Sequence, residues 1–161
     1  MREYIVAGAN LTLANQAVTL VFVNVGSTCT IEFLRMWASQ SSTNNTAQQR
    51  VQINTQVSAF PTLVSQTPAK TKLLDPASQI TGGAAGAAGT AGVNASAEGA
   101  GSKTILYPDA FSVVNGWLWV PTPPETFMLN AGGASGMGLH LPVAPGSLGN
   151  WNGGMVYREL G

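Results

Sequence analysis

Apolar and polar residues alternate with a period of two along much of this chain, and the apolar positions are rich in β-branched and aromatic side chains, a pattern that predicts strands. Between Arg50 and Val57, the residues Val51, Ile53 and Val57 alternate with Arg50, Gln52, Asn54 and Gln56, predicting a strand with one buried face. Val18 to Val25 and Thr30 to Trp37 are apolar at most positions, as expected of central strands covered on both sides, and Gly26-Ser27-Thr28 between them reads as a hairpin turn. Further strands are predicted near Tyr4 to Ala7, Lys70 to Leu74, Lys103 to Leu106, Val113 to Val120, Thr126 to Leu129, Met137 to Leu141 and Met155 to Glu159.

Each of these segments is bounded by Gly, Pro, Asn or Asp, and none carries a helical period. The polar stretch Ala38 to Arg50 has almost no apolar face and is expected to be a loop. The prediction is an all-β fold, an antiparallel β-sandwich or jelly roll of about eight to ten short strands. At 161 residues it forms one domain, 1–161.

One segment breaks the pattern. Gly82 to Gly101 is nearly all Gly and Ala, with Val93 as its single sizeable apolar side chain. By itself it buries too little area to offset its ordering entropy, so it reads as a loop inserted between strands, or as an arm that grips a neighbouring subunit. It lacks the Gly-x-x-x-x-Gly-Lys-Ser/Thr order of a phosphate-binding loop and contains no Lys.

Charge changes the picture next. Only 9% of residues are Asp, Glu, Lys or Arg, against roughly 25% in an average soluble domain, and the formal net charge is +0. Little electrostatic repulsion keeps copies apart, so self-association is easy. The seven basic residues are scattered from Arg2 to Arg158, which excludes the clustered basic face that a nucleic-acid partner requires. Neither a signal peptide nor an 18-residue apolar run is present at the N-terminus, so no membrane partner is expected. Asn10-Leu11-Thr12, Asn44-Asn45-Thr46 and Asn94-Ala95-Ser96 fit the glycosylation tripeptide, and without a signal peptide they are read as structural polar residues.

Reactive groups are few. His140, the single histidine, lies in an alternating strand pattern, and Cys29, the single cysteine, opens an apolar segment as a small buried hydrophobe. Asp75, Asp109 and Glu125 are far apart and form no metal-ligand spacing. No catalytic residue, cofactor or metal site is therefore predicted, and the chain is not expected to be an enzyme. Glu32 and Arg35 lie in an apolar strand and need a partner or an edge. Arg158 and Glu159 close a terminal strand that should be tied into a sheet.

The four tryptophans are the richest remaining signal. Trp117 and Trp119 are two apart and share a strand face; Trp37 is expected in the core with Ile31 and Phe33. Trp151, between Gly149-Asn150 and Asn152-Gly153-Gly154, is expected in a turn as an exposed anchor. Trp117, Trp119 and Trp151 are the candidate interface residues, through which the chain would meet protein or stack on a sugar ring.

The segments EYIVAGANLTL, IEFLRMWASQSS, the Gly/Ala tract, GWLWVPTPPETFML, GLHLPVAP and GGMVYREL, taken in order, resemble the small jelly-roll structural proteins of tailed bacteriophages, in particular capsid decoration or cement proteins. That resemblance implies a homo-oligomer, often a trimer, on the capsid exterior of the virion, made in the host cytoplasm and stapling the major capsid protein. The alternatives are a carbohydrate-binding β-sandwich, a single-jelly-roll major capsid or tail protein, and, least favoured with one histidine, a cupin-type enzyme.

Overall fold

A computed structural model describes residues 2–27, 29–41, 47–84, 89–132 and 135–160. Among these, the strands are β1 (Arg2–Leu11), β2 (Val18–Asn24), β3 (Thr30–Gln40), β4 (Gln48–Val57), β5 (Thr62–Ser65), β6 (Ala69–Lys70), β7 (Thr81–Gly82), β8 (Thr90–Ala97), β9 (Ser102–Ser112), β10 (Trp117–Trp119), β11 (Met128–Leu129), β12 (Ser135–Leu141) and β13 (Trp151–Leu160). No helix forms among the described residues. The expected all-β class is what the chain adopts. Two sheets pack face to face, one in the order β10-β3-β13-β1-β6 with β11 also on β3, the other β5-β8-β2-β12-β4-β9 with β7 on β8. Every pairing is antiparallel except β7 with β8.

The core is a single apolar cluster between the sheets. From the first sheet come Tyr4, Val6, Ile31, Phe33, Met36, Met155 and Tyr157, and from the second Leu20, Val21, Val51, Ile53 and Leu139. β2 is buried along its whole length, polar Thr19 and Asn24 included, as its mostly apolar sequence predicts for a central strand. β13 lies between β1 and β3, so the C-terminal strand is indeed tied into a sheet.

Several expectations fail for identifiable reasons. β2 and β3 are not a hairpin, because they belong to opposite sheets and the segment that includes Gly26 and Ser27 crosses between them; Thr28 lies outside the described residues. β3 is not covered on both sides. It alternates, with Ile31 and Phe33 inward, and a bulge at Leu34, opposite the Val156/Tyr157 step, resets the parity so that Met36 and Ala38 point inward next. Trp37 therefore lies on the outer face, flat against β13 at Gly154, where its ring fills the space a side chain would need. The Arg35 guanidinium sits 5.5 Å from its centroid.

β4 keeps its alternation, pairing with β12 without a register shift from Gln52 to Val57, but burial departs from the prediction after Ile53. Asn54 and Gln56, opposite Gly138 and Gly136, are buried on the other face, where Gln56 Nε2 donates to Ala59 O and Glu98 O, and Val57 at the strand end is 53% exposed. The tract from Gly82 to Gly101 is not an insertion at its centre, since it supplies β8, an interior strand between β5 and β2; residues 85–88 lie outside the described residues. The polar stretch from Ala38 to Arg50 is strand at both ends, and its middle, including Asn44-Asn45-Thr46, lies outside the described residues. The predicted strand Val113 to Val120 is a turn closed by Asn115 N–H on Ser112 O, followed by the short β10. Likewise only Lys70 of Lys70 to Leu74 is strand. Asp75 N–H closes a turn on Lys72 O at 3.1 Å, which puts Leu73 and Leu74 at its tip, 91% and 96% exposed.

Candidate interaction site

All three candidate tryptophans are buried within the chain. Trp151 begins β13, and the glycines that suggested a turn belong largely to the strand itself. Its indole N–H donates to Ser147 O at 2.7 Å, and Phe111 meets the ring edge-on at 6.4 Å. The expectation of an exposed anchor is thus corrected. Trp117 and Trp119 do share a face, and it is the inner one, with Leu118 between them pointing out. Trp117 donates its indole N–H to Asp109 Oδ2 at 2.9 Å, and Trp119 stacks on Phe127 with centroids 5.0 Å apart.

These indoles hold the sandwich at one side. β10 and β9 are edge strands of opposite sheets, and the Trp117 to Asp109 bond is where they meet. Beyond it the edges part, and a cleft of about 570 Å³ opens between Tyr107 on β9 and Trp119, Val120, Pro121 and Phe127 on the chain after β10. Its one charged lining group is Glu125, exposed and accepting from Thr122 Oγ1 at 2.9 Å. Leu106, Leu118 and Met128 add exposed apolar surface on the same two edges. A second cleft, of about 370 Å³, lies beside Trp151, Gln49 and Val143.

The reactive groups are occupied structurally. His140 and Thr19 are buried on the second sheet beside Glu98 of the β8–β9 connection. Glu98 accepts from the Thr19 hydroxyl at 2.6 Å and from Lys103 Nζ at 2.7 Å, and lies 3.3 Å from His140 Nδ1. Burial works to raise the Glu98 pKa, but the hydrogen bonds from His140, Lys103 and Thr19 prevail and hold it at about 2. Almost wholly buried, the Thr19 hydroxyl fastens the β8–β9 connection to β2. Burial pushes the Cys29 thiol up, away from the reactive thiolate. Arg158 bridges Glu3 and Glu32 at 3.2 Å each, which supplies the partner Glu32 required, while Arg35 rests on Trp37. Among the described residues no three His, Cys, Asp or Glu side chains gather as metal ligands.

No protein-family model, no curated protein and no solved structure matches this chain. What the molecule offers is surface. The cleft between the two edges can take an apolar group beside one carboxylate, and of its lining the sequence pattern offered Trp119 as an interface residue and Glu125 only as an isolated acid. Tyr107 was missed because Lys103 to Leu106 was read as ending before it, and Phe127 because its stacking partner lies eight residues away across a turn-rich segment.

Proposed function

We propose that this chain is a structural protein of a virus particle, a capsid decoration or cement protein of a tailed bacteriophage that acts as a homo-oligomer on the shell exterior. The observation that carries the reading is the run of exposed apolar side chains along two neighbouring strand edges, Leu106, Tyr107, Leu118 and Val120, on a molecule with few charges to keep copies apart. The order of segments that resembles the phage jelly-roll proteins supports it, as does the scatter of basic residues, which suits a face turned away from packaged DNA.

The test is direct. Purified protein added to shells that lack it should bind saturably and raise the temperature at which they rupture, and labelled protein should appear on the outside of particles in electron micrographs. Absence of the protein from purified particles, with no binding to bare shells, would end the proposal. A second reading, a glycan-binding sandwich, is favoured by Tyr107, Trp119 and Phe127 lining one cleft with Glu125. It requires a change in indole fluorescence on adding glycans.

A further inference from the structure

The most exposed large apolar side chains among the described residues are two adjacent leucines, and burial does not account for their position. Leu73 and Leu74 occupy the centre of the turn closed by Asp75 N–H on Lys72 O, where Gly, Asn, Asp or Pro is usual. The turn is nevertheless firmly mounted. β6 pairs with β1, Thr71 N–H and Oγ1 both donate to Glu3 O, Tyr4 OH donates to Pro76 O, and the Ser78 hydroxyl and the Gln79 N–H donate to Glu159 Oε1. A knob held this way loses little freedom on binding. Lys70 and Lys72 flank the leucines, exposed and without an ion-pair partner among the described residues.

The cleft at Tyr107, Val120 and Phe127 is the complementary shape, an apolar socket whose charged group is the carboxylate of Glu125. In a chain with seven basic and seven acidic residues, cations beside the knob and an anion beside the socket are a specific match. The first sheet carries the knob at one edge, β6, and the socket at the other, β10. With knob and socket at opposite edges, one joint leaves a free knob on one copy and a free socket on the other, so copies join head to tail and close into a ring when the rotation between them allows.

We propose that the Leu73–Leu74 turn of one copy seats in the Tyr107–Val120–Phe127 cleft of the next, with Lys72 facing Glu125, so that copies assemble as a closed head-to-tail ring. This rests on the reading of the chain as a homo-oligomer and names the surfaces that make it. The exposed Leu118 and Met128 beside the socket supply the rest of the joint.

The experiment is light scattering and sedimentation velocity on the full chain. Wild type should have the mass of several copies, and L73D/L74D that of one 16.6 kDa chain with an unchanged circular dichroism spectrum. V120R/E125K should likewise be a single chain. Mixing the two variants should give a species of two copies and no larger, because one intact knob meets one intact socket and the ring cannot close. If L73D/L74D keeps the wild-type mass, or the mixture stays single, the proposed joint is wrong while the homo-oligomer stands. A wild type that is a single chain at all concentrations overturns both.

Discussion

β8 and β9 are consecutive strands of the same sheet, and their composition and burial run in opposite directions. β8, Thr-Ala-Gly-Val-Asn-Ala-Ser-Ala, has the look of a linker, yet Thr90 to Val93 and Ala95 are buried. β9 carries Ile105, Leu106 and Tyr107, yet Ser102 to Ala110 is exposed at every position but Lys103. The cause is their place in the sheet. β8 has β2 and β5 on its two sides, and at Gly92 a Cβ would stand 2.6 Å from Leu63 Cβ and 2.8 Å from Val64 O. β9 has only β4, and its free edge is guarded by the bulge at Leu106 and by Pro108, devices that discourage a further strand from adding there. Burial is thus set by neighbours, and small residues mark where neighbours come closest.

The contrast should fail where β9 enters the core. Phe111 is buried against Trp151, and Phe111→Ala is expected to cost about 4 kcal/mol in a chemical-denaturation midpoint, through lost burial and the cavity left beside the indole. A cost below about 1 kcal/mol would mean that β9 is peripheral along its whole length.

In β8 a smaller change should have a comparable consequence. Gly92→Ala adds one carbon, which has to displace Leu63 and the Val64 backbone, and about 2 kcal/mol of destabilisation is expected. Thermal unfolding of the variant reads it; an unchanged or raised midpoint would show that β5 yields without cost and that the close approach is incidental.

The same physics separates what could be read in the sequence from what could not. The mostly apolar sequence of β2 announced a strand enclosed on both sides, and the alternation of Val51 and Ile53 announced an inward face, because side-chain pattern alone decides those features. The burial after Ile53 was illegible: Gln56 is covered by the carbonyls of Ala59 and Glu98, the latter 42 positions away, and the pattern of β4 itself does not announce that cover. The partnership of β2 and β3 was misread for the same reason, since adjacency in sequence does not say which sheet a strand joins. At the candidate site, the shared face of Trp117 and Trp119 was legible and its direction was not. For Trp151, two of the three glycines that looked like a turn, Gly153 and Gly154, are residues of a strand with close neighbours, Gly154 beneath Trp37 being one. Nothing in Lys70 to Leu74 distinguishes a strand from a turn that presents its leucines to solvent.

Between β8 and β9, Glu98 fastens the connection to Thr19, His140 and Lys103, and its contribution depends on charge. Its pKa in the folded chain is about 2 against an ordinary 4.5, so its stabilisation is fully present above pH 4.5 and is lost as the pH falls from there towards 2. The carboxylate is partly open to solvent, which screens the interaction, and a loss on the order of 1 to 2 kcal/mol is expected. Urea midpoints measured from pH 7 to pH 2 should show this limb, and Glu98→Gln should flatten it while lowering stability at pH 7. An acid limb of equal depth in Glu98→Gln would assign it to other groups.

The smallest effect is expected where β9 is most apolar. Ile105→Thr keeps a β-branched residue on a strand whose side chain faces water, so the isolated chain should change by no more than about 0.5 kcal/mol. The measurement is sharper when repeated over a range of protein concentrations. Association stabilises the folded form by mass action, so a side chain covered only in the assembly acquires a cost as concentration rises. If Ile105→Thr stays neutral from dilute to concentrated solution, β9 owes its exposure to its place at the edge in every state. If its cost grows with concentration, a second copy completes for β9 what β5 and β2 complete for β8.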